Sequence, residues 1–447
     1  MPYIANHAKA AMVRKLIIVL FLFSIAVLSY DSLPYFHFSV YRPLSMFSMF
    51  AASFLLLFTG YRFKTGDYFL LAFAMYSIGH SLVVSIGYED LGSSFKHVIT
   101  LLFGLSMYRT SVYIAQQTKE DPALIGWIAK SLMVAFVPPL AAGFLQLLDS
   151  LFLHSGFSGA FTGLFSEKVY KGRIQMLSGE PSWAAIHMLS GGLLMLFLFK
   201  QGYRRQLPLL IGTAVLTVLS FSAYAYSVLL TALLIYVFIT NKNRGKILLV
   251  LAVCVLVIVV GVPYLLETFH VSGYFTDRFQ FNFDHLIKTD NSLFIRVFFP
   301  AIGFIEFAHH PIFGVGGGYY YKEFADLLLK HFSNGLIFEE VSDIVFNRPE
   351  MATSRNLLSK VFAEEGLVGA MLFLGFMASI LKSAKGNPYA KFAFALCVSL
   401  VMNFDSYSFV NFWLLVGFIR GGFFDGLSAV QETGMDTQSM KGMKRVA

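Results

Sequence analysis

Apolar runs long enough to cross a lipid bilayer recur along almost the whole chain of 447 residues. A transmembrane α-helix needs about 20 predominantly apolar residues in succession. The composition agrees, because 57% of the residues are hydrophobic and only 13% are charged, about half the charged share of a typical globular domain. A membrane β-barrel would instead show short alternating strands. The sequence therefore predicts an all-α, polytopic membrane protein.

The positions of the apolar runs predict about twelve transmembrane helices. They are expected at residues 15–30, 43–60, 67–86, 95–114, 123–148, 182–200, 206–222, 224–240, 246–264, 362–382, 388–404 and 406–424. Basic residues collect in alternate connections, as at Lys119 and Lys382, whereas Asp90 and Asp405 lie in connections of the other set. By the positive-inside rule, the basic set and both termini are predicted to be cytoplasmic.

Two connections are too long to be simple turns, and both are predicted to lie outside the cytoplasm. The shorter covers residues 149–181, and the larger covers 265–361, between the ninth and tenth spans. A loop of that length usually has a function. We expect a single transmembrane domain over residues 1–427, with its first helix retained instead of being cleaved as a signal peptide. Residues 428–447 are predicted to form a disordered cytoplasmic tail.

The most informative polar segment lies just before the tenth span. Arg355-Asn356 is followed, after nine residues, by Gly366 and the rest of a Gly-Leu-Val-Gly sequence. Arginine is always charged, and its planar set of N–H donors matches phosphate oxygens. Arg355 is therefore a candidate phosphate-binding residue at the membrane surface. The alternative is an interfacial arginine that pairs with lipid headgroups, and the residues alone leave both open.

The large loop contains a second candidate segment. Arg296 is followed by an apolar stretch, by His310, and then by a glycine cluster that includes Gly314 and Gly316. Glycines let the backbone turn tightly or approach a ligand, and successive N–H groups can hold a phosphate. A structural turn is the alternative. Tyr319 and the two tyrosines after it are candidates for stacking on sugar rings or for packing at the interface.

The shorter outer loop ends in a third candidate segment. Arg173 and Glu180 precede the sixth span, which is predicted to begin near Pro181 because proline suits the first helical turn. Glu180 is a candidate acid or base, or a group that stabilises the helix dipole. His187 lies two turns further on, and we interpret it as a packing histidine.

Together these segments resemble the Wzy-type O-antigen polymerases and O-antigen ligases of bacterial inner membranes. The resemblance covers most of the chain as architecture, with about twelve helices and one large outer loop late in the sequence. Its residues are Arg173 with Glu180-Pro181-Ser182-Trp183, Arg296 with His310 to Gly316, and Ser354-Arg355-Asn356 with Glu365 to Gly369.

One position separates the two activities within this superfamily. Ligases typically have His-Asn where this chain has Arg355-Asn356, so Arg355 stands in place of that histidine. Polymerases of this type are similar in having an arginine, ten further residues and then a glycine. Arg355 and Gly366 satisfy this pattern. The equivalent pattern in the earlier loop is not met, because Ala184 stands where glycine is expected after Arg173. The resemblance therefore favours a polymerase.

The resemblance implies a glycosyltransferase that joins oligosaccharide repeat units carried on undecaprenyl diphosphate. It implies an inner-membrane protein whose active face is periplasmic, working with a chain-length regulator and a flippase. The catalytic candidates are Arg355, Glu180 and His310. The candidates for binding diphosphate or sugar are Arg173, Arg296, Gly314, Gly316, Tyr319 and Asn356.

No cofactor and no metal are expected. The outer loops contain no pair of carboxylates at a metal-binding spacing, and Cys254 and Cys397 both lie in apolar runs. A flippase for the same lipid-linked sugar is an alternative from another class, but it needs charges along a path through the helices. A ligase and a non-catalytic scaffold are further alternatives.

Overall fold

A computed structural model describes residues 2–35, 41–61, 63–153, 155–170, 173–220, 222–240, 245 and 291–425. Over these residues the chain is helical and contains no strand, which confirms the all-α class. The helices of the first half are α1 (Pro2–Ala26), α2 (Leu44–Leu56), α3 (Tyr68–Tyr88), α4 (Leu91–Glu120), α5 (Ala123–Leu148), α6 (Phe157–Thr162), α7 (Pro181–Lys200), α8 (Gln206–Leu219) and α9 (Ala223–Thr240). Those of the second half are α10 (Asn291–His309), α11 (Tyr321–Phe332), α12 (Glu339–Phe346), α13 (Leu357–Ser383), α14 (Pro388–Val401) and α15 (Val410–Gly421).

Six helices in the described part of the chain are long and apolar enough to cross a membrane. They are α3 with the short turn before it, α4, α5, α7, α10 and α13, and the bent pair α8–α9 raises the number to seven. The chain is therefore a multi-pass membrane protein. The number of twelve spans and the cytoplasmic position of both termini stay predictions. The predicted span at 246–264 and the tail at 428–447 lie outside the described residues.

The large connection before α13 contains a helix that the sequence analysis did not predict. Helix α10 lies within residues 265–361, which were assigned to an extracytoplasmic loop, yet it passes the length and hydropathy criteria for a span. It packs along the first turns of α13, where the hydroxyl of Ser359 donates a hydrogen bond of 2.8 Å to the carbonyl oxygen of Pro300. A hydrophobic cluster around Phe299 and Phe324 joins α10 to α11 and α12. The described part of the large connection is therefore folded.

Polar contacts form two groups at opposite ends of α4, a helix of 30 residues and therefore about 45 Å long. At its last turn, Lys119 pairs with Asp425 at 3.1 Å. At its first turn, the Asp90 carboxylate accepts a hydrogen bond of 2.5 Å from the Tyr321 hydroxyl. The large connection therefore lies at the Asp90 end, which agrees with the sequence-based grouping of these connections.

Candidate active site

Arg355 occupies an unusual backbone conformation directly before α13. Its φ of 56° lies in the left-handed region, which costs a residue with a side chain about 1–2 kcal/mol. The backbone N–H of Arg355 donates a hydrogen bond of 2.9 Å to Oδ2 of Asp405. This contact holds the arginine in a conformation that it would otherwise avoid.

The guanidinium group of Arg355 is only partly paired. The side chain is 40% exposed, and its Nη2 lies 3.7 Å from Oε1 of Glu340. Its Nε is buried and has no hydrogen-bond partner among the described residues. A buried donor without an acceptor is unfavourable by about 1–3 kcal/mol, so a ligand oxygen at this position would stabilise the site.

Asn356 holds the start of α13 in place. Its side-chain oxygen accepts a hydrogen bond of 2.9 Å from the backbone N–H of Ser359, which is an N-cap contact. Its side-chain nitrogen donates to the carbonyl oxygen of Met402 at 2.8 Å, and the N–H of Leu357 donates to Phe404 at 2.9 Å. The connection between α14 and α15 therefore fixes the backbone that carries Arg355.

Tyr170 brings the first and third candidate segments together. The pKa of its phenol is raised to about 12, first by burial and then by the carboxylates of Glu180 and Glu340. Two guanidinium groups, Arg173 and Arg355, act on the same phenol and lower this pKa. Two basic and two acidic side chains, from three separate segments, thus influence the pKa of one tyrosine.

Arg296 approaches the same region from α10. Its guanidinium carbon lies 4.9 Å from the ring centre of Tyr224, and its Nη1 donates to the hydroxyl of Ser292 at 2.8 Å. The hydroxyl of Tyr224 donates a hydrogen bond of 3.1 Å to the carbonyl oxygen of Asn403. Arg296 is therefore tied to residues 402–405, the connection that also holds Arg355.

An aromatic cluster links the Glu180 segment to this connection. Trp183, on the first turn of α7, contacts the ring of Tyr41 with ring centres 5.1 Å apart, and Tyr41 contacts Phe404 at 5.4 Å. Glu180 lies just before α7, and its carboxylate accepts a hydrogen bond of 3.0 Å from Ser182. Helix α7 therefore presents Glu180 beside the arginine-bearing segments.

The glycine cluster of the large connection has a structural role at a break in α13. Gly366 has φ 61° and ψ −162°, which interrupts the helix, and a Cβ there would lie 2.4 Å from the carbonyl oxygen of Ile312. Gly314 has φ 76°, and a Cβ there would lie 2.5 Å from the backbone of Glu364. The two segments therefore meet through their backbones, at positions where only glycine fits.

Backbone hydrogen bonds complete this contact. The N–H of Gly316 donates to the carbonyl oxygen of Glu364 at 2.9 Å, and the N–H of Gly314 donates to His310 at 3.0 Å. The N–H of Leu367 donates to Pro311 at 2.9 Å. Because the amides of Gly314 and Gly316 already have acceptors within the protein, this geometry favours the structural turn over the phosphate-binding interpretation.

Two sequence candidates lie apart from the arginines. His310 pairs with Glu323, its Nε2 lying 2.6 Å from Oε1. Tyr319 is fully buried and its hydroxyl bonds to the carbonyl oxygen of Asp90. A buried tyrosine is not available for stacking on a sugar, so its placement favours the packing alternative over sugar binding. His187 bonds to Asp31 at 2.9 Å and to Asn411 at 3.0 Å, which agrees with a packing histidine.

Four residues of this region were given no role by the sequence analysis. They are Tyr170, Tyr224, Glu340 and Asp405. Asp405 entered the sequence analysis only as an acidic residue in a connection predicted to lie outside the cytoplasm. The other three carry no local signal, because each acquires its importance from segments far away in the chain.

Comparison with known protein families matches part of the chain that carries this site. Residues 207–374 match the family model described as O-Antigen ligase. The O-Antigen ligase match contains Arg296, Glu340, Arg355 and the backbone contact at Gly366, and ends before Asp405. It supports the superfamily of O-antigen ligases and polymerases, and with it a membrane enzyme of polysaccharide assembly, without separating the two activities. No curated protein shows significant similarity to the chain.

Proposed function

We propose that the protein polymerises oligosaccharide repeat units carried on undecaprenyl diphosphate, at the periplasmic face of a bacterial inner membrane. The observation that carries this proposal is the buried Nε of Arg355, which has no acceptor among the described residues. A phosphate oxygen supplies such an acceptor, and its negative charge strengthens the bond. The strained backbone of Arg355 adds support, because strain of this kind concentrates at functional sites.

The diphosphate binds to arginines from three separate segments. Arg355 and Arg173 reach it beside Tyr170, and Arg296 reaches it from α10 beside Tyr224. Fixed positive groups stabilise charge that develops on a leaving group in the transition state. Asn356, Gly314 and Gly316 act as positioning residues, since their polar groups are already bonded within the protein.

The reaction is a displacement at the anomeric carbon that joins the growing chain to its lipid. A hydroxyl oxygen of the acceptor unit forms a bond to this carbon, and the bond from carbon to phosphate oxygen breaks. The electron pair of that bond leaves with the lipid diphosphate, where the arginines stabilise it. Because a diphosphate is a good leaving group, no general acid is required.

Glu180 takes the proton of the attacking hydroxyl. It lies at the start of α7, is partly exposed, and acts on the same tyrosine as Arg173 and Arg355. His310 is the weaker candidate, because its ring is bonded to Glu323. A chain-length regulator and a flippase are the partners that this activity requires, one to set polymer length and one to deliver the lipid-linked units.

A ligase that transfers finished polymer to the lipid A-core is the second candidate. The matching family model is described as O-Antigen ligase, and the match is compatible with both activities. Arg355 favours the polymerase, because ligases typically have histidine at that position. The two activities act on the same class of donor and differ in their acceptor.

Complementation of a deletion strain separates the candidates. The strain receives wild type, Arg355→Ala or Arg355→Lys, and its surface polysaccharide is separated on a gel after the amount of protein in the membrane is checked. A polymerase defect leaves core capped by single repeat units in the deletion and in Arg355→Ala. Arg348→Ala is the matched control, since Arg348 pairs with Asp343 at the exposed surface.

The alternatives predict different products. Unmodified core together with accumulated lipid-linked polymer indicates the ligase. Unmodified core with lipid-linked single units retained at the cytoplasmic face indicates a flippase. A full ladder from Arg355→Ala, at normal protein level, removes Arg355 from the reaction.

A further inference from the structure

The buried carboxylate of Asp31 is bonded to the residue that directly precedes Glu180. Asp31 lies in the connection between α1 and α2, and its side chain is fully buried. Its Oδ1 accepts a hydrogen bond of 2.8 Å from the backbone N–H of Gly179. Because consecutive Cα atoms are only about 3.8 Å apart, a bond that fixes Gly179 also restricts the backbone of Glu180.

The other oxygen of this carboxylate is bonded to α7 itself. Nε2 of His187 lies 2.9 Å from Oδ2 of Asp31, and Nδ1 of the same ring lies 3.0 Å from the side-chain nitrogen of Asn411. An amide nitrogen can only donate, so Nδ1 accepts and the ring hydrogen is on Nε2, where it donates to Asp31. Asn411 on α15 therefore determines the tautomer that binds the carboxylate.

The two contacts attach α7 to Asp31 at two different levels. Gly179 precedes the helix, whereas His187 lies seven residues after Glu180, which is about two helical turns. A Cβ at Gly179 would lie 2.5 Å from the Cβ of Ser32, so the backbone before α7 packs closely against the Asp31 segment. Together these contacts restrict both sliding of α7 along its axis and rotation about it.

The side chain of Glu180 depends on this backbone for its position. Glu180 is partly exposed and has an extended backbone, with φ −144° and ψ 151°. Its carboxylate accepts a hydrogen bond from Ser182, which belongs to the same segment and moves with it. The position of the Glu180 carboxylate relative to Arg173 and Arg355 is therefore set by the start of α7, which Asp31 holds.

We propose that Asp31 is a positioning residue for Glu180 and that His187 orients the Asp31 carboxylate. This inference rests on the proposed function, in which Glu180 takes the proton of the attacking hydroxyl. Because Asp31 is fully buried, it acts through the backbone before α7 and not by contacting a substrate. Precise placement of a catalytic group matters, since a displacement of about 1 Å can slow a reaction about 10²-fold.

The test measures polymer formation by the purified full-length protein, with lipid-linked repeat units extracted from the deletion strain. Asp31→Asn keeps the size of the side chain, but its amide offers one oxygen to two N–H donors, so one of the two contacts is lost. We expect kcat to fall about tenfold or more. KM should stay nearly unchanged, because the arginines that bind the diphosphate are unaltered.

The Glu180→Gln background tests whether Asp31 acts through Glu180. Asp31→Asn should cause no further fall of kcat in that background, because the effects of coupled residues do not add. The same further fall as in the wild type overturns the proposal, since Asp31 would then act elsewhere. A wild-type kcat in Asp31→Asn alone, with a slow Glu180→Gln, overturns it and leaves the proposed function intact. A wild-type kcat in Glu180→Gln removes the base of the proposed function and this proposal together.

Asp67→Asn is the matched control. Asp67 is also a buried carboxylate that accepts a backbone N–H, from Lys64 at 2.7 Å, and its other partner is Arg420 at 2.9 Å. Arg420 lies at the end of α15 and Asn411 at its start, so the two carboxylates are at opposite ends of this helix. Asp67→Asn should lower the thermal midpoint and keep kcat. An equal fall of kcat in both variants indicates general destabilisation and overturns the proposal.

Hydrogen exchange covers the case in which Asp31→Asn does not fold. The amide of Gly179 precedes α7 and donates to Asp31, so its protection depends on this carboxylate. Mass spectrometry with fragmentation to single residues should show slow exchange at Gly179 in the wild type, and faster exchange in a folded Asp31→Asn variant. Exchange in the wild type at the rate of an unstructured peptide overturns the proposal, whichever activity the protein has.

Discussion

The backbone N–H of Arg355 bonds to the carboxylate of Asp405 across 2.9 Å, between the start of α13 and the connection from α14 to α15. This bond holds Arg355 at φ 56° and so determines the direction in which its side chain leaves the backbone. Asp405 thereby contributes to the position of the guanidinium group without contacting a substrate.

Replacing Asp405 with alanine should impair polymerisation more than it impairs folding. A hydrogen bond to a charged acceptor contributes about 1.5–3 kcal/mol. Asp405 is only partly buried, so its loss should lower the free energy of unfolding by no more than about 1 kcal/mol. Because the arginine is then free to leave its position, we expect polymer yield to fall about tenfold or more, measured by gel in the complemented strain.

Asp343→Ala is the matched control for this change. Asp343 lies in the same large connection and pairs with Arg348 at the surface. It should keep a normal ladder. Equal polymer yields from the Asp405 and Asp343 variants would contradict a positioning role for Asp405.

Replacing Arg355 with glycine should separate its charge from its backbone strain. Glycine adopts a positive φ without steric penalty. The free energy of unfolding should therefore stay unchanged or increase by up to about 1 kcal/mol, and the thermal midpoint should not fall. The ladder should be lost, because the guanidinium is absent. Thermal unfolding of the purified protein and the polysaccharide gel measure the two effects separately.

Glu89→Gly provides the corresponding control. Glu89 also has a left-handed backbone, with φ 52°, and follows the last turn of α3. This variant should gain similar stability and keep its ladder. If Arg355→Gly lowered the thermal midpoint strongly and also removed the ladder, the loss of polymer would reflect folding and not the missing charge.

The helices could be predicted from the sequence because each one depends on a local run of apolar residues. Helices lie at all the predicted spans in the described part of the chain, including α5 at 123–148. Helix α10 was missed although its residues meet the length and hydropathy criteria for a span, because the whole stretch 265–361 was assigned to one outer loop. Its contacts with α13 and its place in the cluster around Phe299 are tertiary features, which no local pattern reveals.

The candidate site was predictable only in part, for the same reason. The identity of Arg355, Arg296 and Arg173 indicated phosphate binding, but their common neighbourhood depends on Tyr170 and on residues 402–405. The glycine cluster was recognised as a candidate turn or phosphate site. Its backbone contact with the break in α13 could not be predicted, because that contact is tertiary. A sequence shows which residues can bind a phosphate, whereas tertiary contacts decide which of them already have partners.

Replacing Gly366 with alanine should destabilise the protein strongly. The positive φ costs about 1–2 kcal/mol, and the new methyl group would lie 2.4 Å from the carbonyl oxygen of Ile312 and 2.5 Å from the amide nitrogen of Gly314. Because both neighbours are backbone atoms, they cannot move aside cheaply. We expect a total loss of about 3 kcal/mol or more, seen as a reduced amount of folded protein and a lower thermal midpoint.

Gly386→Ala isolates the strain from the clash. Gly386 has φ 88°, and a Cβ there meets no atom within 4 Å. Its variant should show only the loss of about 1–2 kcal/mol from the positive φ. If both variants lost the same stability, the close approach between Gly366 and the Ile312 segment would have no energetic weight.

Stability should fall in acid partly through Asp90, at the start of α4. Hydrogen bonds from Tyr321 and then from Ser93 lower the pKa of Asp90 from 3.8 to about 2. A carboxyl whose pKa is lower in the folded state contributes stability above its unfolded pKa, and the contribution is lost as pH falls towards the folded value. The contribution of Asp90 should therefore be complete above pH 4 and disappear between pH 4 and pH 2.

Two tyrosine variants test this assignment by thermal unfolding across the same pH range. Tyr321→Phe removes the donor to the Asp90 carboxylate, so it should lower the midpoint above pH 4 and flatten the decline between pH 4 and pH 2. The hydroxyl of Tyr319 bonds to the backbone carbonyl of the same residue. Tyr319→Phe should therefore lower the midpoint without changing its pH dependence. The opposite result would contradict the role given to the Asp90 carboxylate. In that case Tyr319→Phe would flatten the decline between pH 4 and pH 2, and Tyr321→Phe would leave it unchanged.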